Sequence, residues 1–372
     1  MDKLLIEAHI ADIHFGALDP LKQFNILKEQ FLDRIAGMKV LDIISINGDL
    51  FHHKFMANSD AVFYALQFFK EVLVIAEAKN ASVIVINGTY SHDADQIKLL
   101  YPLAQLYQVE TYFISHIEII YTKGKRILCI PEEYGKPKEY YEKYLYYSDF
   151  YNACYMHGTV AGSIYGKTIP TLDSPREPIF GIDHFRNCAG PIIAGHVHTP
   201  GCFGKHIYYC GSPYRWQFGE EEDKGFIILL HDISNGMYAV HYQKIISDSY
   251  ITINIDDMIN YDPKKVIEFI TQKMQNEHIA YLRIQITQNN PENINILQTY
   301  YRNNSTVKID ARVNITQSVE EGLEEEKKKY SGYEYLFDKN IPPEDKLVKY
   351  INQSEGSIFL TREDLIAILK DL

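Results

Sequence analysis

Short runs of apolar and β-branched residues recur through the first half of the chain, and each run ends abruptly in a polar loop. This pattern predicts buried strands at residues 4–10, 42–46, 82–86, 151–156 and 191–194. Apolar residues at helical spacing predict a helix over residues 60–78, between the second and third of these strands. The order strand, helix, strand indicates an α/β domain.

Beyond Arg126 the pattern becomes richer in strands. Lys123-Gly124-Lys125 has the composition of a hairpin turn, and further strand-like runs follow at 206–210, 226–231 and 238–243. The sequence therefore predicts a two-sheet sandwich flanked by helices for residues 1–248.

The pattern changes again from residue 249 onward. Strand-like and helix-like segments now alternate, at 251–255, 264–275, 281–286, 292–301 and 306–313. No motif with evident chemistry interrupts this alternation. It predicts a small α+β capping domain over residues 249–316.

The last part of the chain begins with a block of charges at residues 317–332, which is typical of a solvated linker. Residues 333–372 then become amphipathic, and their last apolar residues recur at the spacing of one helix face: Leu365, Ile368, Leu369 and Leu372. The pattern predicts a helical tail that binds a partner. The alternative is a tail that packs against its own chain.

Length and composition are those of a globular protein with more than one domain. The chain has 372 residues, of which 46% are hydrophobic and 23% are charged. No apolar run approaches the roughly 20 residues that a membrane span needs. Residues 1–7 lack the pattern of a secretory signal, so we expect a cytoplasmic protein with no membrane partner.

The cysteine content and the net charge narrow the classes of binding site that this protein can have. The five cysteines are odd in number and show no Cys-x-x-Cys spacing, which argues against a disulfide framework and against a thiolate zinc site. The formal net charge of -12 has the wrong sign for holding nucleic acid by bulk electrostatics. Bound divalent cations would supply positive charge locally.

Five successive predicted strands end in aspartate or histidine. These residues are Asp12 and His14, then Asp49 and His52, then His92 and Asp93, then His157, and finally His196 and His198. Ligands of α/β folds gather at the carboxyl edge of the sheet, so we expect these side chains to lie together. Carboxylate and imidazole donors without thiolates suit Mn²⁺, with zinc or iron as alternatives.

The order of these motifs resembles that of the calcineurin-like metallophosphoesterases. Residues 211–226 and the small second domain are similar to the corresponding parts of SbcD-type nucleases, including their phage recombination relatives. The resemblance implies a manganese-dependent DNA exonuclease and endonuclease. Such an enzyme would act as a homodimer with an SbcC-like coiled-coil ATPase in DNA end processing, recombination and repair. A phage member would act in the host cytoplasm.

The resemblance also implies a role for each site residue. Six would hold two metal ions, with Asp12, His14 and His198 on the first, His157 and His196 on the second, and Asp49 bridging them. His92 would stabilise the transition state or protonate the leaving 3′ oxygen, and Asp93 would orient its ring. His52 would assist exonuclease activity. The alternative for His52 is an exposed loop residue.

One motif departs from the family. Its third motif reads Gly-Asn-His-Asp, with the asparagine oxygen on the second metal, whereas this chain has Gly88-Thr89-Tyr90-Ser91-His92-Asp93. The hydroxyl of Ser91, directly before the histidine, is one candidate replacement. Asn87 is the other. Either ligand predicts a weaker second metal site.

Two other functions remain open at this point. A small phosphodiesterase or phosphatase of the same superfamily would share every metal ligand, but it would not need residues 211–226, the second domain or the tail. A non-catalytic, partner-binding scaffold would not need six residues of metal-ligand type.

Overall fold

The computed structural model describes residues 4–146, 149–163, 169–204, 206–277, 279–312, 335, 338 and 341–354. The charged block predicted as a linker at 317–332 and the tail helix predicted around Leu365 lie outside these residues.

The first of two six-stranded sheets contains the amino-terminal strands. In spatial order they are β14 (Met237–Ile245), β13 (Lys224–Asp232), β1 (Leu4–Ile10), β2 (Ile43–Asn47), β3 (Ser82–Ile86) and β4 (Thr111–Ile114). Strands β1 to β4 are parallel, and β13 and β14 join antiparallel. Every residue of β2 and β3 is buried, and for this reason both strands read as continuous apolar runs.

The second sheet faces the first. Its strands are β11 (Gly201–Phe203), β12 (Ile207–Tyr209), β10 (Ile192–Gly195), β7 (Ala153–His157), β6 (Lys125–Ile130) and β5 (Glu118–Thr122). The four central strands are parallel, and β5 and β11 are antiparallel to their neighbours. Lys123 and Gly124 form the turn between β5 and β6 with φ values of 53° and 78°, which confirms the predicted hairpin. A separate two-stranded sheet pairs β8 (Thr159–Val160) with β9 (Ile179–Phe180).

Helices flank the sandwich. They are α1 (Pro20–Leu27), α2 (Asp33–Gly37), α3 (Asp60–Lys79), α4 (Tyr101–Ala104) and α5 (Lys138–Leu145), with a π-helical turn at Lys28–Leu32 and 3₁₀ turns at Ala94–Leu100 and Ile182–Phe185. A further 3₁₀ turn, Asp256–Met258, belongs to the smaller unit that follows. The Ser59 side chain caps α3 by accepting a hydrogen bond from the Val62 amide. One apolar core lies between these helices and the first sheet, and another lies between the two sheets. The predicted two-sheet, helix-flanked sandwich is confirmed.

A smaller unit follows the sandwich. It contains β15 (Tyr250–Asn254), α6 (Pro263–Asn276), β16 (Tyr281–Ile286), α7 (Pro291–Tyr301) and β17 (Val307–Ala311). Its three strands are parallel and have their own apolar core, so the predicted alternation of strands and helices is confirmed. The boundary at residues 248 and 249 stays a prediction. Beyond this unit, α8 (Pro343–Ser354) is the part of the predicted helical tail that the structure describes.

Among the described residues, no helix combines the length and the apolar content that crossing a membrane requires.

Candidate metal centre

The carboxyl ends of parallel strands from both sheets meet at one edge of the sandwich. The loops after β1, β2 and β3 bring Asp12 and His14, Asp49, and His92 to this edge from the first sheet. The second sheet contributes a residue after β6, the last residue of β7 and two residues after β10, which are Glu132, His157, His196 and His198. The predicted convergence of strand ends is therefore present.

Four of these residues have a left-handed backbone. The φ values of Asp12, His14, Asp49 and His196 are 52°, 50°, 51° and 91°. A side chain at such a φ costs on the order of 1 kcal/mol relative to ordinary backbone. Position 88, at the same edge, accepts only glycine, because a Cβ there would lie 2.2 Å from the Asp49 amide nitrogen.

Asp12, His14 and His198 form a first group of donors. Their donor atoms lie within 4.8 Å of one another, and the Nε2 atoms of the two histidines are 3.1 Å apart. Burial lowers the pKa of His14 to about 3, so this ring is neutral at neutral pH. Nδ1 of His198 lies 2.9 Å from Glu220 Oε1 and donates to it, which leaves the His198 Nε2 lone pair facing His14.

Glu132, His157 and His196 form a second group beside the first. Nδ1 of His157 donates to the Asn47 carbonyl at 2.8 Å, so in the neutral ring Nε2 carries the lone pair. Burial lowers the pKa of this ring, but Asp49 and the other nearby carboxylates outweigh burial and raise it well above its usual range. That Nε2 is buried, and among the described residues it has no hydrogen-bond partner. Oε2 of Glu132 lies 3.7 Å from His157 Nε2 and 3.2 Å from His196 Nδ1.

Asp49 lies between the two groups. Its Oδ2 is 3.7 Å from His14 Nε2 and 3.4 Å from His157 Nε2, while its Oδ1 accepts a 2.7 Å hydrogen bond from the Thr89 amide. Burial alone would raise the pKa of Asp49, but the charge of protonated His157 is the main opposing effect, and the pKa of Asp49 is held well below its usual range. A carboxylate that faces both groups is placed to bridge two cations.

His92 lines the cavity at this edge, and its ring centroid lies 4.7 Å from that of His14. Its Nδ1 donates to the backbone carbonyl of His52, so Nε2 is the atom left for the cavity. The His52 ring stacks on that of His92 at 5.9 Å and lies 4.9 Å from Trp216, so His52 is a close neighbour of the site.

Asp93 requires a correction. The sequence predicts that it orients the His92 ring, but its carboxylate instead accepts from the amides of Gly88, at 2.8 Å, and Phe51, at 3.1 Å. Burial and the Asp49 charge raise the pKa of Asp93 to about 7. Asp93 therefore fixes two loops, and the His52 carbonyl orients the His92 ring.

The structure does not bring Ser91 into the donor groups. Ser91 is exposed in the turn before His92, whereas Thr89, directly after Gly88, contacts both Asp49 and Glu132 through its hydroxyl. Asn87 is half-buried, and its backbone carbonyl accepts a 3.3 Å hydrogen bond from the Glu132 amide.

Two functional candidates escaped the sequence reasoning, Glu132 and Glu220. The sequence does contain a sign of Glu132. This residue follows the strand that begins at the predicted hairpin, so it lies at a strand end like the other donors. Glu220 lies within the stretch 211–226 that the resemblance had identified. Nothing local marks its contact with His198, which is 22 residues away.

The donor groups fit divalent cations. Carboxylate and imidazole atoms converge, and the cavity of about 470 Å³ in front of them has no lysine or arginine side chain among its described lining residues. Buried carboxylates without a cationic side chain need another source of positive charge. A divalent cation held by these donors would supply it in place of the protons on the histidines.

Comparison with known proteins finds a sequence relative and several structural neighbours. The chain is 25% identical over 236 residues to “Putative phosphoesterase 244L” of Invertebrate iridescent virus 6, a match that covers 60% of this chain and 79% of that protein. The crystal structure of TT1561 of Thermus thermophilus is 10% identical, with a TM-score of 0.39, and a second solved structure is 12% identical, with a TM-score of 0.38. Each covers 65% of this chain and 100% of its own.

No protein-family model matches the chain. The strand order itself defines the fold, and structural matches of this size add nothing to it. The viral relative and the donor groups together support the metallophosphoesterase superfamily. The SbcD type stays a prediction.

Proposed function

We propose that this chain is a metal-dependent phosphodiesterase that cleaves DNA, the nuclease subunit of an SbcD-type complex. One observation carries the proposal: two groups of metal-type donors lie side by side, and the carboxylate of Asp49 faces both. The viral relative named as a phosphoesterase supports hydrolysis of phosphoesters as the reaction class.

The side chains divide into metal-binding and proton-transfer roles. Asp12, His14 and His198 would hold one ion, His157 and His196 the other, and Asp49 both. Two bound Mn²⁺ ions would acidify a water molecule and neutralise the charge that develops on the phosphate. His92 would protonate the leaving 3′ oxygen through Nε2, since its Nδ1 is held by the His52 carbonyl.

DNA as the substrate is supported by the segment 211–226, which resembles that of SbcD-type nucleases. This segment carries Trp216, whose ring lies within 5.7 Å of the rings of His14 and His198 and lines the same cavity. An indole at this position offers a surface on which a nucleobase can stack. The same segment carries Glu220, which holds His198.

The test is Mn²⁺-dependent release of nucleotides from linear DNA by the purified chain, with the metal content measured in parallel. Asp49→Ala should lose metal and activity together. His92→Ala should keep its metal and lose roughly 10²- to 10⁴-fold in rate, the usual contribution of a general acid. Full DNA degradation by the His92 variant would rule out this mechanism.

The same assays separate the alternatives. Hydrolysis of small aryl phosphodiesters with intact DNA would make the chain a small phosphodiesterase. A purified chain that binds Mn²⁺ and cleaves neither substrate would favour the non-catalytic scaffold.

The SbcC-like partner is a further part of the proposal, and we assign its binding to residues 333–372. Within the described part of this tail, Leu347 and Tyr350 of α8 are 43% and 45% exposed, which leaves apolar surface for a partner helix. Truncation after Lys329 should preserve metal-dependent cleavage and abolish co-purification of the ATPase. Intact partner binding by the truncated chain would contradict this assignment. A homodimer through helices of the first domain belongs to the same proposal, and light scattering of the purified chain tests it.

A further inference from the structure

We propose that Glu132 is a ligand of the second metal ion and replaces the asparagine that the resembled family carries in its third motif. The inference rests on the proposed function, since it concerns the same centre. Three observations support it: the position of Glu132, the buried nitrogen of His157 that lacks a partner, and the placement of the residues around Ser91.

The chain fixes Glu132 at the edge where both sheets meet. Its backbone amide donates to the Asn87 carbonyl at 3.3 Å, which ties the end of β6 to the loop after β3. Its side chain is completely buried and points toward His157 and His196. A buried carboxylate at this position needs positive charge close by.

The distances around Glu132 are those of ligands that share one cation. Metal–ligand bonds of about 2.1 Å place neighbouring ligand atoms roughly 3.0 to 3.5 Å apart. Oε2 of Glu132 is 3.2 Å from His196 Nδ1, and Oδ2 of Asp49 is 3.4 Å from His157 Nε2. The donor atoms of Glu132, His157 and His196 all lie within 4.8 Å of one another, so these three residues can contact one ion, and Asp49 approaches it from the His157 side.

His157 adds an independent argument. Because its Nδ1 donates to the Asn47 carbonyl, its Nε2 presents a lone pair toward the carboxylates of Asp49 and Glu132. The same Nε2 is buried and has no hydrogen-bond partner in the described part of the chain. A lone pair that faces two carboxylates is unfavourable unless a cation or a proton lies between them. A bound divalent cation satisfies all three groups.

The residues proposed from sequence are less suitable. Ser91 is exposed, outside the donor groups. The Thr89 hydroxyl lies 3.2 Å from Glu132 Oε2 and 3.3 Å from Asp49 Oδ2, so its one hydrogen can be donated to either carboxylate. We therefore assign Thr89 as a positioning residue for Glu132.

This replacement changes the strength of the second site. An amide oxygen is a neutral donor, whereas a carboxylate carries a full negative charge and attracts a divalent cation more strongly. The missing asparagine alone predicts a weak second site. With Glu132 as a ligand, the second site instead has two carboxylates and two imidazoles, and it should fill without substrate.

The test is a Mn²⁺ titration of the full chain, read by equilibrium dialysis and by electron paramagnetic resonance. The wild-type chain should bind two ions with the spectrum of a spin-coupled pair. Glu132→Met should bind one ion, or bind the second at least about 100-fold more weakly, and should show uncoupled Mn²⁺. Glu132→Gln keeps an oxygen donor without its charge and should fall between the two.

Glu133→Gln is the matched control. Glu133 is also buried, but its carboxylate accepts from the Ile117 amide at 3.0 Å and contacts His116 at 2.9 Å, away from the donor groups. It should keep both ions. Thermal unfolding in chelator should confirm that every variant folds. If Glu132→Met fails to fold, the almost isosteric Glu132→Gln replaces it in the comparison.

Three outcomes would overturn the inference. If both Glu132 variants bind two Mn²⁺ ions with wild-type affinity, Glu132 is not a metal ligand. If Ser91→Asn is the only variant whose affinity for the second ion changes, and that affinity rises, the ligand position belongs to Ser91. In crystals soaked with Mn²⁺, a Glu132 oxygen beyond about 3 Å from the second ion, instead of at about 2.2 Å, would also exclude Glu132. A wild-type chain that binds no Mn²⁺ at all would reject the proposed function itself.

Discussion

Two groups of buried polar side chains can be compared within the same sandwich. Glu7, His9, Lys125 and Tyr155 lie between the two sheets, and all four are completely or almost completely buried. Lys125 Nζ donates to Glu7 at 2.6 Å and to Tyr155 at 2.7 Å, and Tyr155 also donates to Glu7. One ammonium thus faces one carboxylate, and we call these four residues the closed cluster.

The metal centre is the opposite case. Asp12, Asp49 and Glu132 bring three carboxylates to one edge, and no lysine or arginine appears among the described residues that line its cavity. These three carboxylates are also buried, so burial alone does not distinguish a structural group from a functional one. The difference lies in whether the charges are balanced within the chain.

The largest expected effect comes from breaking the closed cluster. Lys125→Met should lower the free energy of unfolding by about 3–5 kcal/mol, because it leaves the Glu7 carboxylate buried without its partner. Urea denaturation in chelator measures this loss. The double variant Glu7→Gln, Lys125→Met should recover part of it, and a single variant as stable as wild type would contradict the comparison.

Acid should act on the same cluster. Burial would raise the pKa of Glu7, but Lys125 and His9 together outweigh burial and lower it from 4.5 to about 2. A depressed carboxyl pKa contributes stability that is complete above pH 4.5 and is lost as the pH falls through 2. The contribution is on the order of 3 kcal/mol.

The measurement is urea unfolding at about pH 5 and at about pH 2.5, because most of the Glu7 titration falls between these two values. The double variant Glu7→Gln, Lys125→Met is the reference. Wild type should lose more stability than this variant over the interval. Equal losses would show that the acid sensitivity arises elsewhere.

The metal centre should respond to cations, and the closed cluster should not. Mn²⁺ at about 100 times its dissociation constant should raise the free energy of unfolding by about 2.7 kcal/mol for each equivalent site. Lys125→Met should show the same increment as wild type, although its baseline is lower. Asp49→Ala should show none, and a metal-induced increase in that variant would remove Asp49 from the site.

The smallest effect concerns the residue that orients His198. Glu220→Gln weakens the hydrogen-bond acceptor for His198 Nδ1 and should reduce the Mn²⁺ affinity of the first site by about 10-fold. This is the low end of the effect expected for a residue that hydrogen-bonds to a metal ligand. Glu222→Gln is the control, because Glu222 contacts Thr199 instead. Equal affinities in the two variants would assign Glu220 to structure alone.

Sequence predicted the sandwich well because its parallel strands are buried on both faces. Such strands read as apolar runs with sharp ends, and β1 and β3 begin and end at the predicted residues. The same ends located most donors of the metal centre. Local pattern was sufficient wherever a residue's role depended on its position at a strand end.

Pattern failed where a role depends on a distant partner. Glu7 and Lys125 lie 118 residues apart; Glu7 interrupts an apolar strand and Lys125 begins one, and neither position gives a local sign of the other. Adjacency in sequence predicts a contact between Asp93 and His92, but the conformation of the loop directs the Asp93 carboxylate to the amides of Phe51 and Gly88. Glu132 reaches His157 only because β6 and β7 are adjacent and parallel.

The left-handed backbone at Asp12, His14, Asp49 and His196 has a consequence for how this chain can change over time. Glycine would relieve the strain at each position, so a chain that needed only its fold would tolerate glycine there. Metal-type side chains at these four positions therefore carry a conformational cost that the fold alone does not require. In a lineage that gave up catalysis and kept only the scaffold, we expect these four side chains to be replaced first.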